Sequence, residues 1–543
     1  MKEGKSTELV RKGTFLLVIS VVIKLIGLLY RIPLTNMLGN QGNGIYGLPF
    51  QIYSFIITLA TMGVSTAISR MVSERMARGE KANARLVFRI GIIYAAVIGI
   101  LVHVVLFFGA DFIAGTIFND ISAAPAIRVL APVTMMVLFS SIIRGTYQAV
   151  GDVRPSAYAD LLDQIFHAGL SILFVYLTVS AVSDINIEVG GRFPVLEQAS
   201  QDAANGTKYG ALSGLLFLLG IFFFYRRKSG IFNAPMQEAT ESWKSVLKIF
   251  VLTVFPIMFA ATVSNLREII DTALFNAMMP MKGYTADVIQ TQRGLVSGKF
   301  VVLTNMPIAA LGTLGIMLVP GIAAAITKQD HDSIQVHIET LMKMVFMVSI
   351  PAAIGESVLG VPIISWLFSS QPGGGELLRV GSFIIVFYSV SQNAAAILQG
   401  LGKLKICVRN AFYGLCVSTP ILILCVMVFD IKAYALIVSL LTFSFTMAFF
   451  NIRSVIKYSG CRINMVKMFT APLVCSLIMG GVAYLTYAGL YALLHSNTIA
   501  ILTSIVLAIG VYFILLLNSS FYTREQILEL PYGRVFMKFR FKD

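Results

Sequence analysis

The chain has 543 residues and a formal net charge of +15; 57% of it is hydrophobic and only 13% charged, with a mean hydropathy of +0.81. A soluble fold of this length has too little polar surface to cover so much apolar area. The composition thus excludes an ordinary soluble enzyme, and the basic balance does not signal a nucleic-acid partner, because no soluble domain exists to present a basic face.

Apolar stretches of roughly 18–30 residues, separated by short polar breaks, predict an all-α integral membrane protein with fourteen transmembrane helices. The first is expected at 14–38. Lys2, Lys5, Arg11 and Lys12 precede its apolar start in the manner of a signal peptide. No small-residue cleavage site follows, and the run continues past Lys24, so it reads as an uncleaved first helix. Spans at 46–72, 87–109, 126–150, 157–180 and 208–226 complete the first half. The second half is expected at 246–276, 294–326, 340–369, 377–400, 406–429 and 432–453, and a last pair at 468–494 and 498–518. The stretch 181–207, with Asp184, Glu188, Glu197 and Asp202, reads as a polar, solvated outer connection.

Charge orients the bundle. With the N-terminus in the cytoplasm, most of the 42 Lys and Arg residues fall on inner loops and tails, including the clusters at 75–89, 226–228, 453–467 and 524–542. This is the positive-inside pattern for an even number of spans, with both termini cytoplasmic. The five cysteines (Cys407, Cys416, Cys425, Cys461 and Cys475) sit in the last third, where neither a disulfide framework nor a metal motif is expected. His103, His167, His331, His337 and His495 are scattered and read as ordinary packed or solvated histidines. No cofactor or metal is expected.

The chain repeats itself. Gln148-Ala-Val-Gly-Asp-Val-Arg and Gln399-Gly-Leu-Gly-Lys-Leu-Lys lie 251 residues apart, and the same offset pairs Arg128 with Arg379 and Gly151 with Gly402. Phe118 and Phe368, and Gly63 and Gly315, follow within one residue of that register. Six spans return the chain to its starting side, so the repeat implies two parallel six-helix lobes related by a pseudo-two-fold axis along the membrane normal, the plan of an alternating-access transporter. The expected divisions are an N-lobe at 1–228, a cytoplasmic linker at 229–245 and a C-lobe at 246–455. The remainder, 456–543, holds the two extra helices and a basic tail.

Four cations lie inside apolar stretches: Lys24, Arg31, Arg267 and Lys299. A charge at a helix centre costs roughly 2.5–3.5 kcal/mol, so such residues normally line a pathway. Lys24 and Arg31, seven residues apart, share one helix face. Each of the others has a structural alternative: Lys299 snorkelling to the outer interface, and Arg267 neutralised by Glu268 or Asp271. Arginine forks and mobile lysines around one chamber suit a diphosphate better than a monovalent carboxylate. The acids Asp160, Asp163 and Glu356 are fewer and more dispersed; with Glu268 and Asp271 they are candidates for ion coupling or gating.

The opening Lys12-Gly-Thr-Phe, the run Leu38-Gly-Asn-Gln-Gly-Asn-Gly-Ile-Tyr-Gly47 and the segment Leu59-Ala-Thr-Met-Gly-Val-Ser-Thr-Ala-Ile-Ser-Arg70 resemble the SpoVB branch of the polysaccharide transporter family. That family lies within the multidrug/oligosaccharidyl-lipid/polysaccharide flippase superfamily. Ser297-Gly-Lys-Phe, Asn305-Met-Pro and Leu318-Val-Pro are similar to the corresponding helix of that branch and of the MurJ-like members. The resemblance spans essentially the whole chain. It implies a flippase of the bacterial inner membrane that moves an undecaprenyl-pyrophosphate-linked sugar outward, with lipid II the cargo of MurJ-like members; separately, the chain is expected to be monomeric. It carries the cavity-arginine role to Arg31, and more loosely to Lys24 and Lys299, while the final two helices would hold the lipid tail. The arginine pair often found in helix 2 of MurJ-like proteins is absent, since 57–62 contains no base. Three rivals stand beside this reading: a capsule-type oligosaccharide flippase, a multidrug/cation antiporter of the same superfamily, and a membrane glycosyltransferase. The flippase needs no covalent chemistry.

Overall fold

The computed structural model describes residues 19–183, 193–225, 239–371, 373–461, 464–519, 521 and 540. Among these residues the secondary structure is helical throughout, with no strand. Among the described residues eleven helices are long and apolar enough to cross a membrane, or twelve when Gly375–Gly381 and Ile384–Gly400, bent by 51°, form one span. That count takes as one helix Ile19–Ala77, which covers the first two of the fourteen expected spans. One of the eleven, Ile19–Ala77, has 59 residues, about 90 Å of helix at 1.5 Å per residue against a hydrocarbon core of about 30 Å. It is interrupted at Gly39 (φ 68°) and Gly63 (φ 83°), left-handed positions that glycine adopts without a Cβ penalty. The first two expected helices thus meet at Gly39 with no loop at 39–45. Helix Trp243–Met281, 39 residues long, stands outside the eleven.

The outer connection expected at 181–207 is corrected. Helix Phe193–Tyr225 begins well before residue 208, and Asp184 and Glu188 lie outside the described residues. Its polar first turns fold because Leu196, Ala199 and Ala203 share one buried face, while Asp202 accepts a hydrogen bond from Thr178 at 2.5 Å. Further along, Gly206, Gly210 and Gly214 repeat every four residues. A Cβ on Gly206 would lie 2.0 Å from the Ser171 hydroxyl, and one on Gly210 would lie 2.7 Å from the Asp163 carbonyl. This small-residue stripe brings helix 193–225 against helix Arg154–Ser183, the kind of close approach on which membrane helix packing depends.

The chain divides into two compact units, Met1–Gly294 and Leu295–Asp543. Helix Trp243–Met281, with which the sequence opens the second lobe, packs in the first unit. It is fastened there at its start. Arg75 donates to Glu241 at 2.5 Å, and the Asn83 side-chain oxygen accepts from the backbone amides of Thr240 and Glu241 at 3.0 and 3.2 Å. Below that staple, Val246, Phe250 and Val254 are buried in one apolar cluster with Val64, Ile68 and Val87.

In the second unit a buried amide network joins three helices. Asn410 donates to Asn451 at 2.9 Å and to Ser454 at 3.1 Å, and Asn451 donates to the Ser391 carbonyl at 3.1 Å. Such bonds hold helices together where lipid offers no competing partner. The final pair, Met465–Leu494 and Asn497–Leu517, packs on helix His331–Leu367, to which Tyr512 and Asn497 donate at the Met347 and Pro362 carbonyls.

The repeated turn folds alike in both units. Gly151 (φ 79°) and Gly402 (φ 70°) end their helices in the left-handed conformation. Their amides donate to Gln148 and Gln399 carbonyls at 3.0 and 2.9 Å, which caps the helix as C′ glycines do.

Candidate functional site

Two helix faces of the first unit meet at Arg31. On helix 19–38, Lys24, Gly27 and Arg31 share a face through i, i+3, i+7 spacing; on helix Arg154–Ser183, Asp160, Asp163, Gln164 and His167 do so through i, i+3, i+4, i+7. Gly27 leaves room for Gln164, whose amide nitrogen lies 3.6 Å from where a Cβ would stand. The His167 ring packs on Tyr30 with centroids 5.1 Å apart, and its Nε2 lies 3.4 Å from the Tyr30 hydroxyl and 3.2 Å from that of Thr207.

Arg31 occupies an aromatic box. Its guanidinium carbon lies 5.7, 5.2 and 5.1 Å from the ring centres of Tyr30, Tyr46 and Phe50. Tyr46 and Phe50 are one turn apart on the helix that follows Gly39, with Tyr53 a further turn along and in ring contact with Phe50. Aromatic faces attract a cation without neutralising it. Among the described residues no carboxylate forms an ion pair with Arg31; it shares a hydrogen bond with Tyr30, and the rest of its planar fork is of the kind that suits phosphate oxygens.

The remaining sequence candidates fall into separate places. Lys24 is exposed on its helix. Asp160 is ion-paired with Arg144 of helix Ala124–Ala149. Asp163, packed against Gly210, makes no ion pair among the described residues. The two acids, expected to be dispersed, therefore share the helix face that reaches Arg31. Arg267 is paired with Asp271 at 2.5 Å in a nearly buried contact, the structural alternative for that residue. Beside it Glu268 accepts from Gln51, and Thr272 donates to Gln51 at 3.0 Å.

Lys299 belongs to the second unit and does not snorkel. It sits in the wide turn Val296–Phe300, fully buried, where its ammonium donates to the carbonyls of Gln371 at 2.5 Å and Gly373 at 3.0 Å. The Phe368 ring lies 5.7 Å away. Glu356 sits on helix His331–Leu367 between Pro351 and Pro362, with one carboxyl oxygen buried and unbonded.

Sequence reasoning missed several residues. His167, read as ordinary, bridges Tyr30 and Thr207; its i+7 register with Asp160 was the available signal. Arg293, one residue ahead of the span expected at 294–326, is buried. It donates to Asp120 at 2.5 Å and to the Gly44 carbonyl at 2.9 Å, while Gln290 donates to Asp120 at 3.0 Å. Gly44 and Gly294 permit that crossing, since a Cβ on either would fall within 1.8 Å of a carbonyl oxygen of the facing segment.

The family described as polysaccharide biosynthesis protein matches residues 9–189. The chain is 24% identical over 430 residues to the lipid II flippase MurJ of Bacillus subtilis (strain 168), covering 76% of each chain. It is 20% identical to stage V sporulation protein B of the same organism, again covering 76% of each. Among solved structures it is similar to an inward-facing multidrug resistance MATE family transporter of the MOP superfamily (TM-score 0.63, 15% identity, 81% of this chain and 94% of that one). A second similar structure is lipid II flippase MurJ in an inward closed conformation (TM-score 0.61, 15% identity, 92% and 98%). The chain therefore has the fold shared by MATE transporters and MurJ, and over about three quarters of its length it is similar in sequence to MurJ and to stage V sporulation protein B.

Proposed function

We propose that this membrane protein is a flippase for an undecaprenyl-pyrophosphate-linked sugar, with lipid II as the cargo, moving it from the inner to the outer leaflet of a bacterial cytoplasmic membrane. The observation that carries the proposal is Arg31: a cation held by three aromatic rings rather than by a carboxylate, in a relative of a lipid II flippase. Arg31 grips the pyrophosphate, and Lys24, two turns away on the same face, adds a mobile positive charge. The lipid tail stays in the bilayer while the headgroup is exposed first to one side and then to the other. Asp163 takes the coupling ion, because Asp160 is already engaged by Arg144. Arg267 and Lys299, both committed to protein partners, shape the fold around the pathway. No bond in the cargo is made or broken.

Reconstitution tests this. Proteoliposomes holding the purified chain should translocate a fluorescent undecaprenyl-pyrophosphate-linked sugar, and Arg31→Ala should stop them while still inserting. Translocation at the rate of protein-free liposomes by the wild-type chain would overturn the reading. Selective export of an organic cation instead would favour the antiporter.

A further inference from the structure

Away from Arg31, the first unit holds a cavity of about 440 Å³ whose lining includes His103, Phe107, Arg128, Val129, Gln201 and Lys208. That size lies within the roughly 300–1,000 Å³ range of small-ligand sites. Helices Lys81–Phe108, Ala124–Ala149 and Phe193–Tyr225 supply these residues. They do so at the end of the unit opposite the basic turn at Arg78 and Lys81, which is the outer end by charge distribution.

The lining is polar on one side and apolar on the other. Arg128 pairs with the exposed Asp111. Lys208 forms no ion pair among the described residues, and its ammonium rests 4.9 Å from the Tyr209 ring centre. His103 Nδ1 is buried without a hydrogen-bond partner. Two cations against one carboxylate leave an excess positive charge. Next to them, Val104, Val105, Phe108 and Phe112 are between 45% and 76% exposed, an apolar wall that in a membrane faces acyl chains.

Phosphate oxygens need donors, and Arg128, Lys208, the Gln201 amide and an imidazole N–H supply them. A chain entering along the Phe107 side needs the apolar wall. Arg128 lies one turn from its helix start and His103 five residues from its helix end, the depth at which headgroups meet the hydrocarbon. We propose that this cavity is a binding site for the headgroup of an anionic phospholipid in the outer leaflet, separate from the Arg31 site and independent of the cargo assigned there. A zwitterionic headgroup would bring its own ammonium toward Arg128 and Lys208, so the excess charge selects a headgroup with a net negative charge.

Native mass spectrometry of the full chain, titrated with phosphatidylglycerol or with phosphatidylcholine of the same acyl chains, tests this. The wild type should retain one phosphatidylglycerol at a concentration about tenfold below that needed for phosphatidylcholine. The Arg128→Gln/Lys208→Gln variant should lose the difference, and Arg128→Lys/Lys208→Arg should keep it. If the double glutamine variant does not fold, Lys208→Gln alone should narrow the difference between phosphatidylglycerol and phosphatidylcholine. Equal retention of the two lipids by the wild type, or selectivity that survives the glutamine substitutions, would overturn the proposal. Displacement of the lipid by millimolar inorganic phosphate would overturn it in favour of a free-anion site.

Discussion

Arg31 and Lys299 are both cations within apolar segments, but their surroundings differ in kind. Arg31 is faced by three rings, one of which, Tyr30, also hydrogen-bonds it, and among the described residues no carboxylate is ion-paired with it. Lys299 is fully buried and spends its donors on two backbone carbonyls just beyond the end of helix His331–Leu367. One arrangement leaves a cation without a carboxylate partner, and the other uses a cation to satisfy two loop carbonyls. The comparison teaches that an intramembrane charge is a candidate for a pathway only when its own fold does not neutralise or wholly engage it.

Four substitutions probe that contrast. Gly210→Leu should have the largest effect. Its side chain would meet the Asp163 backbone, separate helices 154–183 and 193–225, and dismantle the face that reaches Arg31; the yield of folded protein in detergent should collapse. Arg31→Ala should leave folding intact and lower cargo flipping roughly ten- to hundredfold, the worth of about 1.5–3 kcal/mol for hydrogen bonds to a charged group. Lys299→Met should do the reverse. Two buried carbonyls lose their donor at a cost of about 1–3 kcal/mol, so thermal unfolding should move to lower temperature while flipping per folded molecule holds. Phe50→Leu should be the smallest, weakening cargo binding by about 0.5–1 kcal/mol through loss of the nearest ring, with Phe50→Tyr unchanged. A Lys299→Met protein that is stable but inactive would erase the distinction between the two cations.

Much of this was legible in the chain. Apolar length placed most spans, and helical spacing put Lys24 with Arg31. The polar turn at Gln148–Gly151 announced its twin at Gln399–Gly402, and both fold the same way. What stayed hidden has physical reasons. The start of helix 193–225 is polar on its outer faces, so hydropathy reads it as a loop, although Ala199, Ala203 and Gly206 mark a close-packed face. The aromatic box arises from two helices meeting at Gly39, and its ring contacts depend on that crossing. Lys299 looked like a cavity residue because nothing local announces the carbonyls of Gln371 and Gly373, some seventy residues away in sequence. Arg293 lies just ahead of the span expected at 294–326, and nothing local announces its partners Asp120 and Gly44, which are distant in sequence.

The most direct test of the central claim is the accessibility of lipid II at the outer membrane face of cells depleted of other flippases and expressing this chain. Externally cleavable lipid II should appear with the wild type and with Lys299→Met in proportion to folded protein, and should vanish with Arg31→Ala. Undiminished external lipid II in cells expressing well-inserted Arg31→Ala would contradict the account.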